Sequence, residues 1–162
     1  MLLVSVFVIA ILMRLFPAKY GFYLNEFDPY YDYKAANFIV NSFNVSGFPG
    51  LLHYFSWTDY TVWFPEGRAV AATSQDGLQF AGAVSYLFFR NVFGLQYSLY
   101  DYLVLFPVFV GSLTAVLFYY LVKRIAGEAG GLFAALMIAV SPPLIERGNL
   151  GWFKSEPLCI FL

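Results

Sequence analysis

The sequence predicts an all-α membrane protein, and three observations carry that prediction. Apolar residues make up 60% of the 162 positions and charged ones only 12%, about half the roughly 25% charged of an ordinary soluble domain. Residues 102–122 contain no charge at all, over a length that meets the ~20 residues needed to cross a bilayer core. The stretch 20–75 is polar by comparison yet rich in Tyr, Trp and Phe, side chains suited to the membrane–water interface. The net charge of -1 and the scattering of nine basic residues exclude a nucleic-acid footprint. Cys159, the one cysteine, can form no internal disulfide and is expected to face lipid or pack in the core.

Taken in order, residues 1–16 are apolar except Ser5 and Arg14. This is short for a span and could be a signal-peptide core, but no basic stretch precedes it and no small-x-small site follows. The expectation is a span, either begun before residue 1 or with Arg14 snorkelling to the interface. Residues 17–100 then form an external region. A loop of that length needs structure of its own, so a folded layer on the membrane is expected, punctuated by Gly47-Phe48-Pro49-Gly50 and Phe64-Pro65-Glu66-Gly67. Within it 77–93 is apolar with one Arg90, and reads as a span or an interfacial helix. His53 is the only histidine and provides no ligand set. The second span is 102–122 and the third 129–145, which ends at Pro142-Pro143. The short turn between them carries Lys123-Arg124 and belongs in the cytoplasm by the positive-inside rule. Residues 146–156 are then an external loop, and 157–162 begin a further span, so the chain reads as the N-terminal fragment of a larger polytopic protein.

The chemistry concentrates in Asn25-Glu26-Phe27-Asp28-Pro29-Tyr30-Tyr31-Asp32-Tyr33-Lys34, directly after the first apolar segment. Carboxylates at a membrane boundary are expensive unless they bind a cation, a basic partner or a substrate. Asp28 before Pro29 fits a helix N-cap with Pro in the first turn, and Asp28 and Asp32 are then four apart on one face. Parity matters for the second acidic stretch, which ends at Glu156. If 77–93 crosses the membrane, Asp28 and Glu156 lie on opposite sides. If it rests in the interface, both are external and can converge on one ion. Asn44-Val45-Ser46 is an N-x-S acceptor triplet on the same side.

Three motifs resemble the N-terminal part of the catalytic subunit of oligosaccharyltransferase, in its archaeal type. Glu26-Phe27-Asp28-Pro29-Tyr30-Tyr31-Asp32-Tyr33-Lys34 is similar to that family's E-F-D-P-x-x-x-Y-R. Trp63-Phe64-Pro65-Glu66-Gly67-Arg68 is similar to W-Y-P-x-G-R, and Arg147 through Glu156 to R-x-x-A-G-x-x-D-x-E. The resemblance covers nearly the whole chain. It implies the first part of a C-type glycosyltransferase transmembrane bundle, an interfacial helix at 77–93, and a site on the non-cytoplasmic side of a multi-pass protein in an archaeal cell membrane or the endoplasmic reticulum membrane. The later glutamate loop and W-W-D-Y-G domain of the family would lie in a C-terminal part beyond these residues.

That family transfers an oligosaccharide from a lipid-linked dolichyl phosphate or diphosphate donor to asparagine in N-x-S/T sequons. The resemblance implies a divalent metal held by Asp28 and Glu156, and oxygen ligands of this kind suit a hard cation, Mg2+ or Mn2+; Asp28 is further expected to hydrogen-bond the acceptor amide and loosen its conjugation. Lys154 stands where the family has a further metal-binding acid. Either fewer protein ligands hold the metal, with water or Asp32 filling in, or Lys154 supplies charge directly to the donor phosphate. Arg68 is a lesser phosphate candidate and alternatively a structural pair for Glu66 or Asp59. Rival readings are another lipid-phosphate-sugar-dependent transferase, or a silent scaffold or transporter. A transporter would carry acids within its spans, and 102–122 and 129–145 contain none.

Overall fold

The computed structural model describes residues 1–94 and 96–162; residue 95, within the expected external stretch 17–100, lies outside the described residues. Among the described residues the protein is all-α apart from one short strand pair. Its helices are α1 (Leu2–Leu15), α2 (Phe27–Ser46), α3 (Phe48–Leu52), α4 (Val70–Thr73), α5 (Asp76–Phe93), α6 (Leu99–Val140), α7 (Pro142–Glu146) and α8 (Ser155–Phe161). The strands β1 (Thr58–Asp59) and β2 (Arg68–Ala69) pair antiparallel, with Asp59 opposite Arg68. Among the described residues two segments are long and apolar enough to cross a membrane, Leu2–Tyr20 and Leu99–Val140. The chain forms two compact units, Met1–Pro29 with Leu103–Leu162, and Tyr30–Tyr102.

In the first unit α6 folds back on itself at Gly127, whose φ of 73° and ψ of -175° lie outside the helical region. Only glycine enters such a conformation cheaply. The arms 99–126 and 128–140 then run antiparallel, and Ala115 and Tyr119 of one pack with Ala135 and Ala139 of the other and with Val6 and Ala10 of α1. Small side chains at this seam let the helices approach closely, the usual device where lipid offers no hydrophobic contrast. The second arm ends at Val140 rather than at 145. Ser141 is extended before Pro142-Pro143, because a proline restricts the residue ahead of it to extended backbone.

Arg14 does not snorkel. Only 1% of it is exposed, and its Nη1 donates to the carbonyls of Ala10 at 3.1 Å and Ala139 at 3.3 Å. Gly111 and Gly148 leave the space: a Cβ on Gly111 would stand 2.8 Å from Arg14 Nε, and one on Gly148 3.2 Å from it. A cation expected at the helix end is thereby spent on joining α1 to the second arm of α6.

The second unit is built on α2 and α5. Ala35, Ala36, Ile39 and Val40 are buried on α2, the spacing of a helix with one face inward. The helix begins at Phe27, so Asp28 sits in its first turn rather than at the cap. On α5 the buried face is Leu78, Gln79, Gly82, Ala83, Tyr86 and Leu87. Val84, Phe88 and Val92 form an exposed apolar stripe along the same helix. Phe38 stacks on Trp57 with ring centroids 4.1 Å apart, and Tyr54 is fully buried against Phe80.

Candidate active site

The two acidic stretches of the first unit are brought together by backbone bonds. Asn25 N–H donates to Gly151 O at 3.0 Å, Gly151 N–H to Val104 O at 2.9 Å, and Leu150 N–H to Arg14 O at 3.0 Å. The Asn25 side chain adds Nδ2–H to Leu150 O at 2.7 Å. Gly151 has a φ of +80°, and a Cβ there would meet Tyr23 O at 2.1 Å, so only glycine fits where the two segments touch.

This frame sets Lys154 among the acids. Its ammonium lies 3.0 Å from Glu26 Oε2 and 2.9 Å from Asp28 Oδ2, and 5.0 Å from the centre of the Trp152 ring. The hydrogen bond to Asp28 is the main cause that raises the Lys154 pKa, reinforced by Glu26 and opposed by burial. Arg147 covers the same tryptophan at 5.1 Å and donates Nη1–H to Glu156 Oε1 at 3.2 Å. Trp152 Nε1–H donates to the other oxygen, Oε2, at 3.3 Å. Three carboxylates and two cations thus leave this surface a net charge of -1 (-3 + 2).

Of the residues expected to form the site, Asp28 and Lys154 meet, while Glu156 is engaged by Arg147 and Trp152. The family resemblance implies a divalent metal, and the donor set does not fit one as it stands. Among the described residues no three His, Cys, Asp or Glu side chains are grouped to hold a metal ion. Each carboxylate assigned to the metal has a cationic side chain on it instead.

Arg68 and Asp32 belong to the second unit. Arg68 pairs with neither Glu66 nor Asp59; its Nε–H donates to Thr73 Oγ1 at 2.8 Å and Nη2–H to Thr73 O at 2.7 Å. Its guanidinium stacks 4.3 Å from the Tyr31 ring centre. Asp59 is taken by Lys34 and Thr61. Burial works to raise the Asp59 pKa, but the hydrogen bonds from Lys34 and Thr61 outweigh it and hold the carboxyl below its ordinary value. Asp32 is buried and accepts Gln79 Nε2–H at 2.8 Å. Gln79 in turn accepts from the Tyr54 hydroxyl, which also lies 2.7 Å from Asp76 Oδ1. Burial first, and then Asp76, pushes the Tyr54 pKa up. Asp32 is therefore part of a buried polar network. Sequence reasoning gave no role to Glu26, Trp152 or Arg147, although the first lies inside the acidic run and the others inside the second motif.

A family model described as Oligosaccharyl transferase STT3, N-terminal, matches residues 1–162. The chain belongs to that family. Among similar proteins of the STT3 family, the dolichyl-diphosphooligosaccharide–protein glycosyltransferase subunit STT3 of Saccharomyces cerevisiae is 32% identical over 98% of this chain and 21% of its own length. The subunit of the same name from Dictyostelium discoideum is 30% identical over 99% of the chain and 22% of its own length. Subunit STT3B of Arabidopsis thaliana is 30% identical over 96% of the chain and 20% of its own length. The chain thus spans about a fifth of the length of these STT3 relatives.

Proposed function

We propose that this chain supplies the N-terminal part of a membrane glycosyltransferase that moves an oligosaccharide from a lipid-linked phosphate or diphosphate donor to the asparagine of an N-x-S/T sequon. The observation that carries the reading is the family match over residues 1–162. The meeting of Asp28 with the 150–156 segment supports it, since a half-exposed carboxylate there can engage a substrate arriving from the membrane surface.

The amide nitrogen of asparagine is a weak nucleophile because its lone pair is delocalised into the carbonyl. Asp28 Oδ2 is bound to Lys154, which leaves Oδ1 to accept an amide N–H and so weaken that conjugation. As the nitrogen bonds to the anomeric carbon, the anomeric carbon–oxygen bond to the lipid phosphate breaks and the amide proton passes to the carboxylate. Lys154 and Arg147 are the cations of this surface that can face the negative charge gathering on the departing phosphate. Arg68, tied to Thr73, and Asp32, tied to Gln79, serve the fold in this reading.

The reading places the protein in the membrane as a multi-pass chain. Lys123 and Arg124 border the fold in α6, which favours a cytoplasmic turn there and an external acid surface. The exposed stripe Val84, Phe88 and Val92 on α5 favours a helix lying in the interface. The acceptor polypeptide, the lipid-linked donor and the remainder of the same protein are its partners.

The test is glycopeptide formation by the full-length protein that carries these residues, with a purified lipid-linked donor and an N-x-S peptide. Asp28→Ala removes the amide's acceptor, and a fall of about 100-fold in turnover is expected by analogy with losing one transition-state stabiliser. Full activity in Asp28→Ala would overturn the assignment of this surface as the active site.

A further inference from the structure

We infer that Lys154 is the fixed cation of the active surface, paired with Glu26 and with Asp28, one of the two acids that the resemblance gives to a divalent metal, so that this chain holds its positive charge covalently and takes up no Mg2+ or Mn2+ there. The inference rests on the proposed function for its chemistry, but its geometry is independent of it.

Three features hold the ammonium in place. It makes ion pairs with Asp28 at 2.9 Å and Glu26 at 3.0 Å, two charge-assisted hydrogen bonds of ordinary length for the strongest class. The Lys154 side chain is 18% exposed while those of both acids are 49% exposed, because the Trp152 ring closes one side at 5.0 Å. Its backbone is anchored as well: Lys154 is the extended N-cap of α8, and its N–H donates to Trp152 O at 2.8 Å.

A divalent cation would meet this arrangement at a disadvantage. Hard cations such as Mg2+ and Mn2+ want several oxygen ligands with little competing positive charge. Glu26 and Asp28 each give an oxygen to Lys154, and both oxygens of Glu156 are engaged, Oε1 by Arg147 and Oε2 by Trp152. Entry of the metal would require expelling a half-enclosed ammonium or tolerating it alongside. An ammonium carries three N–H donors, of which the two carboxylates use two. The third is free to bind a phosphate oxygen, the task a metal would otherwise perform as a Lewis acid.

Mn2+ binding to the protein in lipid nanodiscs, followed by the paramagnetic resonance of the free aquo ion, tests this without requiring turnover. The wild-type protein should bind no Mn2+ beyond what Asp28→Asn binds. Lys154→Asp should gain one Mn2+ per chain, and Asp28→Asn added to it should remove that ion. Lys154→Met, which introduces no new ligand and guards against misfolding of the acidic variant, should bind Mn2+ that the wild type does not, and Asp28→Asn added to it should remove that binding. One Mn2+ per wild-type chain that Asp28→Asn abolishes would overturn the inference, as would unchanged affinity in both Lys154 variants. A companion assay of glycopeptide formation in excess EDTA should leave wild-type turnover intact and make Lys154→Asp chelator-sensitive. If the full-length protein that carries these residues transfers no glycan at all while the Mn2+ pattern holds, the proposed function falls and the fixed cation stands.

Discussion

Gly151→Ala tests whether backbone contact, rather than charge, assembles the candidate site. The added Cβ would stand 2.1 Å from Tyr23 O in a residue with a φ of +80°. An L-residue in left-handed backbone costs about 1–2 kcal/mol. Relieving the clash means moving 23–25 away by more than an ångström, which breaks the 3.0 Å bond from Asn25 N–H to Gly151 O and strains the 2.9 Å bond from Gly151 N–H to Val104 O. At ~1 kcal/mol for each hydrogen bond the total comes to about 3–4 kcal/mol. The protein contains its own control: Gly127 has a φ of 73° with ψ of -175° and nothing within 4 Å of its would-be Cβ, so Gly127→Ala incurs only the conformational cost of a region that glycine nearly monopolises, about 1–3 kcal/mol. At roughly 2–4 °C per kcal/mol for a chain of this size, thermal unfolding should fall by about 10 °C in Gly151→Ala and about 6 °C in Gly127→Ala. Tryptophan fluorescence is a convenient readout because Trp152 adjoins the site of change. If Gly151→Ala melts no lower than Gly127→Ala, the contact between the two segments is not what the geometry says it is.

Asp59→Asn should flatten the acid limb of the stability curve. The folded carboxyl sits below its ordinary value of 3.8, so its contribution is fully present above that pH and is lost as pH falls through the folded pKa; melting measured from neutral pH downward should show the wild type losing more than the variant, and parallel curves would refute the Lys34–Asp59 account. Tyr54→Phe should cost about 1–3 kcal/mol, since it leaves Asp76 and Gln79 without the buried hydroxyl donor; denaturant unfolding indistinguishable from wild type would dismiss the network. Single cysteines near Asp28, Gln96 and Glu156 in a Cys159-free background should all react with an impermeant reagent from outside; protection of the last two alone would show that α5 crosses the bilayer.

What the sequence made legible was what depends on neighbours along the chain. The charge-free run before Lys123-Arg124 and the stop at Pro142-Pro143 mark the arms of α6, and the acidic run marks the start of α2. What it hid depends on groups far apart. Arg14 near the end of an apolar run reads as a snorkelling cation, because nothing local announces that a carbonyl at Ala139, 125 residues away, will accept its hydrogen bond. Arg68 faces Asp59 across the strand pair, yet its charge turns to Thr73 and Tyr31 while Lys34 takes the aspartate. Lys154 was visible as a departure from the family motif, but its second acid, Glu26, lies 128 residues earlier, and only the folded backbone joins them.

The fold of α6 at Gly127 also makes that tip a practical point of entry to the molecule. A turn made by a single residue, with open space around it and the exposed charges of Arg124 and Glu128 beside it, forms no part of the seam between the arms. Exposed tips of this kind are where chains best tolerate insertion. An epitope or fluorescent peptide spliced there would report which side of the membrane the tip occupies, and would leave the surface of Glu26, Asp28, Lys154 and Glu156 untouched.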